Sequence, residues 1–80
     1  MGKLPILSGK EIISALKRAG FEEKRQTGSH VHLVGIHQQR REKTLVTVPL
    51  HGNKEVLPKT LLSILRQAGL TRGEFEKLLS

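Results

Sequence analysis

The 80-residue chain has no cysteine, tryptophan, tyrosine or aspartate, and only two phenylalanines. The missing cysteine excludes disulfides, thiolate metal sites and cysteine nucleophiles together, and it fits a reducing compartment. With two Phe as the whole aromatic content, no platform for stacking successive bases can be built, which sets aside recognition in the manner of an RRM or an OB-fold. All seven acids are glutamates (Glu11, Glu22, Glu23, Glu42, Glu55, Glu74 and Glu76). Several read as capping or surface residues, which points away from a two-metal site. No apolar run approaches the length of a membrane span, and no apolar signal-peptide stretch opens the chain. The expectation is a soluble, cytoplasmic protein.

What the chain does have is positive charge. Fourteen Lys and Arg against seven acids give +7, with a sequence pI near 10.4. Such a balance attracts polyanions: nucleic acid first, then an acidic protein, then an anionic membrane surface. Hydrophobic residues form 36% of the sequence, enough for one small core and too little for two, so residues 1–80 are read as a single domain.

Local signals place the elements. Ser8 and Glu11 form an S-x-x-E capping box, with Leu7 and Ile12 as a hydrophobic staple. Ile12, Ile13, Leu16 and Ala19 follow at helical spacing, and Gly20 supplies a left-handed stop, so a helix is expected over about Gly9–Ala19. Phe21–Gln26 lies between that stop and the Thr27-Gly28 turn and reads as a first strand. Ser29–Gly35 reads as a second, with Val31 and Leu33 on one face and His30, His32 and Val34 on the other. Ile36–Lys43 is a polar, basic hairpin loop. Thr44–Pro49 is a third strand, with Val46 and Val48 inward. After a loop over Leu50–Leu57, Pro58 opens a second helix. Its apolar face comprises Leu61, Leu62, Ile64, Leu65 and Ala68, and Gly69 ends it. Leu70, Thr71, Glu74 and Phe75 then repeat the staple and capping box before a short terminal helix carrying Leu78 and Leu79.

The expected class is α+β: an α-β-β-β-α order, a three-stranded antiparallel sheet with two helices on one face, and a short C-terminal helix. Double-stranded-RNA-binding domains share this arrangement, and it leaves the face bearing His30 and His32 open.

Four stretches carry a closer likeness. They are Leu4–Gly9 with the helix after it, Gly20-Phe21 leading into Gly28-Ser29-His30, Val48-Pro49 running into His51-Gly52-Asn53-Lys54, and Leu62–Leu70 (LSILRQAGL). In this order and spacing the chain resembles the HicA-type (YcfA-like) toxins of bacterial toxin–antitoxin systems. The resemblance implies a small mRNA interferase with a double-stranded-RNA-binding-like fold. It also implies RNA cleavage without a metal or other cofactor, catalysis by the histidine of the Gly-Ser-His motif (here His30), and neutralisation by a HicB-type antitoxin. The long basic loop over Gly35–Lys43 and the extra histidines His32 and His37 depart from that pattern.

The residues suit this chemistry. RNA is cut when its own 2′-hydroxyl attacks the adjacent phosphorus, which needs a proton removed, charge stabilised and the leaving 5′-oxygen protonated. Histidine titrates near neutrality and fits the proton work. A lone strand histidine also has a bland reading as an exposed or structural residue. Gly28 is a turn residue that would also let an RNA backbone approach, and Ser29 a turn or hydrogen-bonding residue; both are candidate phosphate contacts. Without Asp no Ser-His-Asp triad forms around Ser29, although Glu could substitute. His51 is the candidate second acid or base, with loop-shaping as its plainer role. Asn53 and Lys54 could hold a phosphate. Arg40, Arg41 and Lys43 form the densest basic cluster, and Lys17, Arg18, Lys24 and Arg25 a second, diluted by Glu22 and Glu23; solvated surface is the alternative for both. His30-x-His32 could chelate zinc with His37 or His51, but no cysteine or convincing carboxylate completes the set, and solvent-facing histidines are the preferred reading. Two rival functions stand beside this one: a non-catalytic double-stranded-RNA-binding-like module, and an interaction domain whose basic face meets an acidic protein.

Overall fold

The computed structural model describes residues 6–50 and 55–79. Ser8 caps α1 (Gly9–Arg18) through the expected box: its hydroxyl accepts the Glu11 N–H, and the Glu11 carboxylate accepts the Ser8 N–H at 2.9 Å. A cap of this kind contributes about 1 kcal/mol. Ala19 is the C-cap and Gly20 follows at φ 96°, so the helix stops one residue earlier than the periodicity indicates.

Three strands follow, β1 (Glu22–Thr27), β2 (His30–Ile36) and β3 (Lys43–Pro49), antiparallel and in spatial order β1-β2-β3. Each strand lies within a residue or so of its expected bounds, which leaves residues 37–42 as the β2–β3 loop. Alternation decides the faces. Val31, Leu33, Val46 and Val48 are buried to 1% or less, whereas His30 is exposed and His32 and Val34 half-buried. β1 is exposed along its whole length, and its pairing with β2 shifts register between Glu23 and Arg25. An all-polar, bulged edge strand of this kind discourages edge-to-edge association.

Leu57 is the N-cap of α2 (Pro58–Ala68), and Gly69 closes it in the left-handed region at φ 75°. Leu61, Ile64, Leu65 and Ala68 enter the core as expected. Leu62 does not: it is 43% exposed, because the covered stripe of α2 is narrower than its apolar sequence. Thr71 caps the short α3 (Arg72–Leu78) with Glu74 in a second complete capping box, and Phe75 is fully buried. One core joins the inward residues of β2 and β3 to Ile12, Ile13, Ala15 and Leu16 of α1, the four apolar α2 residues and Phe75. Phe21, just ahead of β1, also belongs to it, and its ring lies where a Gly35 side chain would stand.

α2 also guards the free edge of β3. The Gln67 Oε1 accepts the Thr47 N–H at 3.1 Å, and the Thr44 hydroxyl donates to the Gln67 carbonyl at 3.2 Å. The helix therefore stands beside the open face of the sheet and forms one wall of a groove there. Among the described residues, no helix is long and apolar enough to cross a membrane.

Candidate functional site at the Gly28-Ser29-His30 corner

Gly28 and Ser29 form a two-residue hairpin loop between the paired residues Thr27 and His30. Gly28 sits at φ 58° and Ser29 has no positive φ, the pattern of a type II′ turn, which asks for glycine at its first position. A Cβ at Gly28 would meet nothing within 4 Å, so this corner is open to solvent. The Gln26 side-chain amide donates to the Gly28 carbonyl at 3.1 Å, and the Leu50 N–H bonds the Ser29 carbonyl. The turn is thus tied both to its own strand and to the end of β3.

His30 emerges directly after this turn. It pairs across the sheet with Pro49, and its side chain is exposed. Beside it opens a groove of about 460 Å³, lined on the sheet side by His30, Thr47 and Pro49, at one end by Glu55, Val56 and Leu57, and along α2 by Thr60, Ser63 and Gln67. The Glu55 segment is held by a bridge between Ser8 and Glu55 and by the Val56 N–H on the Leu7 carbonyl at 2.8 Å. His51, Gly52, Asn53 and Lys54 lie outside the described residues.

His32 follows His30 on the same face, with its Nδ1 3.1 Å from the Thr47 hydroxyl. Lys24, Arg25, His32, Val34 and Leu45 border a second, shallower depression on that face. There the open face turns apolar, with Leu45 54% exposed and, farther along β2, Ile36 49% exposed. Lys24 of this face is 3.4 Å from Glu22, and Lys17 on α1 is 3.1 Å from Glu23. Arg18 reaches the Leu78 carbonyl.

Arg40, Arg41 and Lys43 are exposed but not at this corner. They lie at the far end of β2, a strand of seven residues, which separates them from His30 by roughly 20 Å. The loop that holds them is built on His37, and here the expectation of a solvent-facing histidine fails. His37 is only 7% exposed. Its Nδ1 accepts the N–H groups of Gln39 at 3.2 Å and Arg40 at 3.0 Å, and its Nε2 donates to the Arg66 carbonyl at 3.2 Å. Those partners fix the Nε2–H tautomer and satisfy a buried ring that would otherwise cost stability. The Gln38 N–H bonds the Ala68 carbonyl, and Arg41 takes φ 63° to close the loop. Among the described residues, no group of three or more His, Cys, Asp or Glu is gathered as a metal site would need.

A comparison with protein families matches residues 9–70 to the family described as HicA toxin of bacterial toxin-antitoxin. No curated protein sequence matches the chain.

Proposed function

The chain belongs to the HicA toxin family of bacterial toxin–antitoxin systems, and from that premise we propose that it is an endoribonuclease that cleaves mRNA through His30 without a metal. The observation that carries the reading is the position of His30: exposed, on the uncovered face of the sheet, next to a glycine turn and at the lip of a groove. A neutral imidazole there takes the proton from a ribose 2′-hydroxyl, or an imidazolium gives one to the leaving 5′-oxygen. The 2′-oxygen bonds to phosphorus as the P–O5′ bond breaks, leaving a 2′,3′-cyclic phosphate and a free 5′-hydroxyl. One imidazole serves one of these transfers, and the other falls to a second group or to water. His51, two positions along the chain from Pro49 of the groove, is the candidate for that second group.

The metal-free reading rests on the donor set. Glu11 and Glu74 accept cap N–H groups, and Glu22 and Glu23 face lysines. Phosphate binding is assigned to Gly28 and Ser29 at the turn, to Lys24 and Arg25 on the face, to Arg40, Arg41 and Lys43 farther along it, and to Asn53 and Lys54 in the segment before Glu55. A HicB-type antitoxin would neutralise the protein by covering His30 or this basic surface.

The test is cleavage of a long single-stranded RNA in EDTA, with wild type and His30→Ala side by side and fragment ends analysed. Cleavage by wild type alone, leaving cyclic or 3′-phosphate ends, is the expected result. Equal cleavage by both would overturn the role of His30, and binding without cleavage would favour a double-stranded-RNA-binding-like module.

A further inference from the structure

We infer that the groove beside His30 seats one nucleotide adjoining the scissile phosphate, with its base and ribose inside, and that Glu55 makes it favour a base carrying an exocyclic amino group. The inference rests on the ribonuclease reading and adds a substrate-recognition role for α2. The groove's volume, about 460 Å³, falls within the ~300–1,000 Å³ of typical small-ligand sites.

The lining decides which part of an RNA enters. Glu55 places a carboxylate at one end, and that negative charge disfavours a phosphate group inside. Phosphates therefore stay outside, near His30 and the basic surface, while the uncharged base and sugar go in. Pro49, Val56 and Leu57 supply apolar surface for the faces of a base, and Leu57, 70% exposed, stands where a bound base would cover it.

The polar groups fit a base edge. Thr60, Ser63 and Gln67 recur at i, i+3 and i+7 and share one face of α2. The Gln67 Oε1 is already committed to the Thr47 N–H, and its amide reaches the Ser63 hydroxyl at 3.4 Å. Gln67 thus holds the wall, and the Ser63 O–H is left to donate. The Thr60 hydroxyl has no hydrogen-bond partner among the described residues. Glu55 can only accept, and it matches the amino N–H of adenine, cytosine or guanine; uracil has no amino group to offer.

Two experiments test the assignment. The first maps cut sites in a randomised RNA for wild type, Glu55→Ala and the double variant Thr60→Val/Ser63→Ala. Wild type should show uracil depleted at one position adjoining the cut, Glu55→Ala should remove that depletion, and the double variant should raise KM about threefold to tenfold. Ser63 is an exposed helix position where alanine is the stronger helix former, and thermal melts of each variant identify any effect due to unfolding. An active wild type whose cut sites and KM are unchanged in folded variants overturns the groove and leaves the ribonuclease reading standing. The second titrates His30→Ala with a dinucleotide whose 2′-deoxy sugar cannot cyclise, followed by amide NMR. Shifts gathered at Val56, Thr60, Ser63 and Gln67 support the seat even if wild type fails to cleave RNA. Saturation with no shift there overturns it.

Discussion

The His37 ring lies against the backbone of Gly69 so closely that its Cε1 and Nδ1 occupy the space a side chain at position 69 would need. The contact joins the β2–β3 loop to the end of α2, and Gly69 meets two demands at once, a left-handed φ of 75° and bare backbone under a ring. Gly69→Ala should therefore destabilise the fold by more than a left-handed alanine alone. The conformational term is about 1 to 2 kcal/mol, and overpacking adds about 1 to 3 kcal/mol. Urea denaturation should show a lower midpoint with an unchanged slope. A variant as stable as wild type would mean that the ring moves aside at no cost.

His37→Ala attacks the same joint from the other side. It removes the acceptor of the Gln39 and Arg40 N–H groups and the donor to the Arg66 carbonyl. A destabilisation of about 1 to 3 kcal/mol is expected from unsatisfied groups and poorer packing. Hydrogen exchange should quicken first at Gln39 and Arg40. RNA fragment ends should keep the wild-type chemistry, since this ring is buried at the far end of β2 from His30. A change in end chemistry would place His37 in the reaction and contradict its structural role.

Both capping boxes, the glycine stops and the inward pairs Val31/Leu33 and Val46/Val48 are legible in the sequence because each is encoded within a few residues. His37 is not, since its ring partner Arg66 lies 29 positions away and a histidine in a basic loop looks solvated until α2 is placed over it. The groove is hidden for the same reason. Thr60, Ser63 and Gln67 read as the solvent face of an amphipathic helix, and it is the docking of α2 on β3, through the Thr47–Gln67 and Thr44–Gln67 bonds, that brings that face beside His30. Leu62 shows the opposite failure: the local pattern makes it core, but the tertiary packing ends before it.

Gln67→Ala should loosen the groove wall. The Thr47 N–H on the outer edge of β3 would lose its acceptor, and water would replace it in part. A destabilisation of about 1 kcal/mol is expected, together with faster exchange of the Thr47 amide than of Val46 or Val48. Unchanged exchange at Thr47 would show that the side-chain bond does not protect that edge.

The separation between His30 and the Arg40/Arg41 cluster gives a prediction that depends on RNA length. A dinucleotide cannot span the roughly 20 Å of β2, so Arg40→Ala/Arg41→Ala should leave its affinity unchanged. A longer single strand that runs along the open face should bind more weakly, and its salt slope should fall by about 0.7 for each phosphate that the loop no longer neutralises. Equal weakening for both lengths would mean that the loop acts through general attraction and not by touching the strand.

Removing His30 should separate activity from stability more sharply than any other substitution. Its side chain is exposed, so His30→Ala should change stability by no more than about 0.5 kcal/mol. Without a positioned proton-transfer group the cleavage rate should drop by about 10²–10⁴-fold. RNA affinity should fall far less, because the proposed phosphate contacts lie on other residues. Imidazole added in solution provides a check specific to proton transfer: partial rescue of His30→Ala is expected, since the vacated corner is open to solvent and a small base can enter it. Loss of folding together with cleavage would make His30 a structural residue. Full cleavage by a folded His30→Ala would move the chemistry to another group.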